Sequence, residues 1–251
     1  MRKIKRYGWI PDIPDQRDFR FATPAVALPT KVDLRRSCPP VYDQGQLGSC
    51  TANAIAAAHQ FEQIRQGAQA AFVPSRLFIY YNERVIEKTV NQDSGAMIRD
   101  GIKSVVKQGV CSEKIWPYVI GRFTKKPSTK CYKAAMANQI VSYQRVTQTE
   151  NQTKGCLAAG LPFVFGFSVY ESFESAAVAK SGKVPMPKKK ETMLGGHAVM
   201  AVGYDDAKKS FIVRNSWGPT WGQQGYFLMP YAYLLSSDLA SDLWTIKMVE
   251  D

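Results

Sequence analysis

Gln44-Gly-Gln-Leu-Gly-Ser-Cys-Thr-Ala-Asn-Ala-Ile-Ala-Ala-Ala-His-Gln-Phe61 sets a glycine-rich turn against a run whose apolar residues recur at helical spacing. Ala54, Ala57, Ala58, Phe61 and Ile64 fall three and four residues apart, and Gly67 stands where a helix end favours glycine. The spacing predicts a helix from Ser49 or Cys50 to Gln66. Cys50 therefore sits in the first helical turn, where exposed N–H groups and the helix dipole favour a thiolate over a thiol. That position suits a nucleophile. The competing reading is a buried structural cysteine in an Ala-rich helix.

A thiolate nucleophile needs a base, and the chain has two histidines, His59 and His197. His59 follows Cys50 by nine residues on the same helix. At about 100° per residue it points to the opposite face, roughly 13 Å further along the axis. It is excluded as the base. His197, in Leu194-Gly-Gly-His-Ala-Val199, opens a strand pattern after two glycines, which can present its ring at a sheet end. Asn215, in Arg214-Asn-Ser-Trp-Gly218, follows the next strand pattern; its amide oxygen can accept the imidazole N–H and fix the tautomer. Trp217 is placed to cover that bond.

Further helices are expected over 75–88, with Ser75 as cap, and over 96–108, ending on Gly109. After Trp116-Pro117 the pattern turns to strands, at 140–146, 161–169, 197–204, 210–214 and 225–229. Helix is thus expected in the first half and strand in the second. Residues 7–29 carry four prolines among charges and read as an extended lead-in.

The 251 residues are 45% hydrophobic and 22% charged, which excludes wholesale disorder, collagen and coiled coil. No apolar run approaches the roughly 20 residues of a membrane helix. The basic start Met1-Arg-Lys-Ile-Lys-Arg6 runs into Pro11 with no apolar stretch, so no secretory signal is visible. A cytoplasmic protein, or one exported by another route, is expected. The net charge of +12 comes with no nucleic-acid motif and reads as solvated loop charge, so neither nucleic-acid binding nor membrane insertion is expected. Five cysteines leave at least one thiol unpaired; if that is Cys50, then Cys38, Cys111, Cys131 and Cys156 admit three pairings. No spacing suggests zinc.

The three blocks around Cys50, His197 and Asn215, the last reading Asn215-Ser-Trp-Gly-Pro-Thr-Trp-Gly222, resemble those of papain-family (C1) cysteine peptidases in order and spacing. That family's His and Asn follow the Cys by about 130 to 150 residues; here the intervals are about 147 and 165. The likeness covers about 28–229 and includes Asp93-Ser-Gly-Ala-Met97, similar to the edge of the family's cleft.

The resemblance implies an α+β, papain-like two-lobed fold. A mainly helical lobe over about 44–117 would face an antiparallel β-barrel-like lobe over about 118–251, with the active-site cleft between them and residues 1–27 as an N-terminal extension. It implies Cys50 as nucleophile, His197 as base and acid, Asn215 as orienting residue and Gln44 as oxyanion donor. Substrate contacts are implied at Ser94, Gly95, Gly196 and Trp217. No metal or cofactor is implied, the substrate is a protein or peptide, and a monomer is expected. The alternatives are an acyl transferase or amidase working as a bacterial effector through the same site, and a catalytically silent binding protein.

Two departures stand out: Leu47 replaces a disulfide-forming Cys, and Thr51 the aromatic residue after the nucleophile. The lead-in is shorter than the inhibitory segments of cathepsins, so the chain resembles compact microbial members. Its Tyr7, Trp9, Ile10, Ile13, Phe19 and Phe21 call for packing against the body, and its lack of helical periodicity favours a brace over an inhibitor.

Overall fold

The computed structural model describes residues 7–24, 27–68 and 71–250; the basic start at 1–6 lies outside them. Three helices dominate the first half, α1 (Cys50–Arg65), α2 (Arg76–Ile86) and α3 (Ile98–Gln108). The side chain of Ser75 caps α2 by accepting from Phe78 N. Helix α1 is the centre of the molecule, since every residue from Cys50 to Gln63 is buried. The Ala positions predicted as one stripe are small because neighbours press on α1 from all sides, while Ile64 is left partly exposed.

Seven strands form one antiparallel sheet: β1 (Lys31–Asp33), β2 (Ile140–Arg145), β3 (Phe163–Tyr170), β4 (Met193–Asp205), β5 (Ser210–Arg214), β6 (Tyr226–Pro230) and β7 (Ala240–Val249). Their order is β2-β7-β3-β4-β5-β6, with β1 paired to β4. The architecture is the expected α+β papain-like one. The second half is less purely β than its patterning suggested. It also holds four short helices, α4 (Thr129–Ala135), α5 (Glu150–Ala158), α6 (Ala176–Ser181) and α7 (Tyr231–Leu234).

The alternation of β4 divides the interior. Ala198, Met200 and Val202 join the core around α1 to α3, whereas Val199 and Ala201 join a second core with Phe163, Phe165 and Phe167. Helix α1 packs on β4 and β7, so its N-terminus meets the sheet where His197 begins the buried part of β4. All five cysteines are thiols. No helix among the described residues is long and apolar enough to cross a membrane.

Candidate active site

The turn before α1 is held from several sides. Gly48 N donates to Asp93 Oδ1 at 3.0 Å, and the same oxygen accepts from the Tyr80 hydroxyl. Tyr118 Oη donates to the Gln44 carbonyl at 2.8 Å and lies 2.6 Å from Ser49 Oγ. Arg76, paired with Glu113 at 2.7 Å, reaches the Asp43 carbonyl and Asn53 Oδ1, both at 3.1 Å. These bonds fix where Cys50 enters the helix.

Neighbouring strands bring the other two groups together, because Met200 on β4 is in register with Arg214 on β5. His197 Nε2 and Asn215 Oδ1 are 2.8 Å apart, and Ser216 N donates to the same oxygen at 2.8 Å. A backbone N–H can only donate, so the atom facing it is the amide oxygen, and His197 Nε2 carries the proton. Nδ1 is then the basic nitrogen. The Trp217 ring covers the imidazole, with centroids 5.1 Å apart and planes at 33°. Phe167 closes another side at 5.7 Å. Gln44 Oε1 accepts from Ser216 Oγ at 2.6 Å, and its Nε2 donates to the Leu47 carbonyl at 2.9 Å. An amide nitrogen has two N–H bonds, so one is left for a ligand.

The cleft is filled by residues 7–10 of the same chain. Trp9 N donates to the Gly196 carbonyl at 2.9 Å, Ile10 N to the Ala96 carbonyl at 3.1 Å, and Ala96 N to the Gly8 carbonyl at 2.8 Å, so the arm runs parallel to the 95–97 edge. Only glycines let the chains pass this closely. A Cβ on Gly8 would stand 1.7 Å from the Gly48 carbonyl oxygen, and one on Gly95 would stand 2.2 Å from the Gly8 oxygen. The Trp9 indole fills a buried space where Gly166 and Gly196 would otherwise project side chains, their Cβ positions lying 1.9 and 2.6 Å from ring atoms. Tyr7 packs edge-on against His197 at 6.0 Å and hydrogen-bonds Glu174.

Beyond the cleft the arm is clamped ionically. Asp18 pairs with Arg99 at 2.6 Å and Arg145 at 3.4 Å, and Arg145 also meets Asp242 at 2.9 Å. Buried Asp12 accepts from Trp244 Nε1 at 2.8 Å and Arg99 N at 3.1 Å. Of the six apolar residues expected to pack, Trp9 and Phe21 are buried, whereas Ile13 and Phe19 are exposed.

This covering opposes the thiolate expected at Cys50. Burial pushes the Cys50 thiol up to about 12, although backbone N–H groups of Ala198, Gly8 and Thr51 favour the anion. Burial likewise lowers His197 to about 4, against the opposing pull of its bond to Asn215. With the arm in place, burial favours the uncharged form of both groups.

Of the four residues expected to contact substrate, Gly95 and Gly196 lie against the arm and Trp217 roofs the imidazole. Ser94 is turned away; its hydroxyl bonds Thr89 Oγ1 at 2.9 Å and the Gly95 carbonyl at 3.0 Å. His59 is buried far along α1, with Nε2 3.3 Å from the Asn138 carbonyl, and burial lowers it to about 4. Three neighbours went unread in the sequence: Ser216, Ser49, which meets Tyr118, and Glu83, whose Oε1 accepts from Thr51 Oγ1 at 2.7 Å beside Cys50. Their only signal was proximity to the motifs. Among the described residues no group of His, Cys, Asp and Glu could hold a metal ion.

The papain family cysteine protease model matches residues 28–241. Xylellain, a cysteine protease from Xylella fastidiosa, is 52% identical with a TM-score of 0.92, covering 100% of this chain and 98% of its own. An uncharacterized peptidase C1-like protein of Acanthamoeba polyphaga mimivirus is 45% identical over 98% of this chain and 88% of its own length. Cysteine proteinase 1 of Entamoeba histolytica is 30% identical over 90% of this chain and 69% of its own length.

Proposed function

The chain belongs to the papain family of cysteine proteases, and from that premise we propose that it cleaves peptide bonds at Cys50 and that residues 7–10 hold it latent. Once the arm leaves, the Cys50 thiol gives its proton to His197 Nδ1, and the sulfur attacks a peptide carbonyl. The Cys50 backbone N–H and the second Gln44 Nε2 hydrogen receive the resulting oxyanion. His197 protonates the leaving amine as the C–N bond breaks. Water, deprotonated by the same nitrogen, then hydrolyses the thioester. Asn215 keeps the proton on Nε2 throughout and so keeps Nδ1 available.

One observation carries the latent reading. Residues 8–10 pair through their backbone with both walls of the cleft, Trp9 N with the Gly196 carbonyl, and the Gly8 carbonyl and Ile10 N with Ala96. The arm thus occupies the cleft as a paired strand, with the Gly8 carbonyl engaged by Ala96 N. This moves the balance from brace toward inhibitor, although the ionic clamp lets the arm serve as both. The space holding the Trp9 indole supports peptides with a large aromatic side chain as substrates.

The test compares the full chain with one lacking residues 1–27 on fluorogenic peptides bearing aromatic side chains, followed by mass spectrometry. Several-fold higher hydrolysis by the shortened chain is expected. A shortened chain that melts earlier but cleaves no faster would return the arm to the role of a brace. Ligated products in place of free acids would identify an acyl transferase.

A further inference from the structure

Cys111 and Cys131 come from segments that the fold presses together. Cys111 follows the end of α3, and Cys131 lies in α4 with Ala135 one turn later. Val110 N donates to the Asn138 carbonyl at 3.1 Å, and a Cβ on Gly109 would lie 1.7 Å from the Ala135 carbonyl oxygen. The backbone just before Cys111 is therefore in contact with that just after Cys131. Both side chains are buried in the same core, and a charge on Cys131 raises the Cys111 thiol beyond what burial alone does. Cys131 Sγ is also 3.3 Å from Ser128 Oγ.

The other thiols face elsewhere. Cys38 Sγ bonds the Leu34 carbonyl at 3.5 Å, Cys156 Sγ bonds the Leu161 carbonyl at 3.4 Å, and Cys50 faces the arm. From this arrangement we propose that Cys111 and Cys131 form a disulfide when the chain folds in the presence of a small-molecule disulfide such as oxidised glutathione. One cysteine thiolate attacks a glutathione sulfur, forming a mixed disulfide and expelling one glutathione thiolate. The second cysteine then attacks the first cysteine's sulfur and expels the other. Two cysteine S–H bonds are lost, one S–S bond forms, and one oxidised glutathione is reduced to two glutathiones.

The bond closes a loop containing Trp116, whose carbonyl accepts from Ser75 Oγ at 2.7 Å, and Tyr118, which holds the turn before Cys50. A crosslink there limits the unfolded chain and steadies this support without entering the cleft.

The full chain is refolded in reduced and oxidised glutathione, alkylated, and digested with trypsin without reduction. Peptide 108–114 joined to peptide 131–133 is expected, about 2 Da lighter than the two thiol peptides together, with a Tm roughly 5–10 °C above that of the reduced chain. Cys111→Ala should abolish both the joined peptide and the difference in Tm. Because the joined peptide is read on the unaltered chain, the test does not depend on that variant folding. Both cysteines recovered alkylated, either one joined to Cys38 or Cys156, or a crosslinked chain no more stable than the reduced one would overturn the proposal.

Discussion

Gly8→Ala is the sharpest perturbation of the closed cleft. Gly8 does not have a positive φ, so alanine meets no backbone strain and the effect is one of space alone. Its methyl would lie 1.7 Å from the Gly48 carbonyl oxygen, an atom fixed in the tethered turn, and must retreat to about 3.5 Å. A shift of that size breaks the Ala96 N to Gly8 carbonyl bond and strains the two bonds from Trp9 and Ile10. At about 1 kcal/mol per bond, and about 2 kcal/mol for partial loss of indole burial, docking should weaken by roughly 3 kcal/mol. The open-to-closed ratio then rises about a hundredfold.

The assay is the rate at which iodoacetamide alkylates Cys50 near pH 7, resolved by peptide mapping, with fluorogenic peptide hydrolysis alongside. Both rates should rise up to the level of the chain without its arm, while the circular dichroism of the body is unchanged. A folded Gly8→Ala chain whose Cys50 labels at the wild-type rate would refute the claim that the arm's path past Gly48 closes the cleft.

In that activated background, Cys50→Ala and His197→Ala should each lose nearly all hydrolysis, Asn215→Ala should lose less, and folded His59→Ala should keep it; a dead His59→Ala would undo the helical-face argument. Burial, with Asp242 beside it, raises the Asp12 carboxyl, so docking takes up a proton and tightens as pH falls. Hydrogen exchange at residues 8–12 should therefore be better protected at pH 5 than at pH 8, after correction for intrinsic rates, and the reverse order would contradict the assignment. Burial also raises Glu83 far above the carboxylate range, so wild type forfeits stability as pH rises past the value of an unfolded Glu. Thermal melts should find Glu83→Gln gaining on wild type between pH 5 and pH 9, and a gap that stays constant would mean that Glu83 is already ionised.

The motifs around Cys50, His197 and Asn215 were legible because each couples a chemical group to a local backbone requirement that a short window contains. The same holds for the cap of α2, where Ser75 and the following apolar face are neighbours in sequence. Strand β7 was not legible, although it lies between β2 and β3, because Asp242 and Lys247 interrupt its pattern and Asp242 takes a positive φ. Helices α4 and α5 are too short and polar for their spacing to stand out; Cys131 and Cys156 on them are buried by partners that only the fold supplies. The path of the arm was hidden for another reason. Gly8, Gly48 and Gly95 complement one another across three distant segments, and each alone reads as an ordinary turn residue.

On the proposed reading, the arm lets one sequence hold an activated cysteine and keep it inert. A helix N-terminus favours the thiolate, and an imidazole held by Asn215 is ready to accept its proton, so in an open, wet cleft the two would exchange it. Covering the site removes water from both partners, and desolvation penalises two charges at once. The dipole and the N–H groups at the sulfur do not compensate, which is why Cys50 rises and His197 falls together. Transfer within the pair moves a proton without changing the total, so this disarming does not itself depend on pH in the neutral range. The pH dependence of release belongs to the buried Asp12 carboxyl, away from the chemistry. Blocking and deactivation are therefore one event, undone by the arm's departure alone.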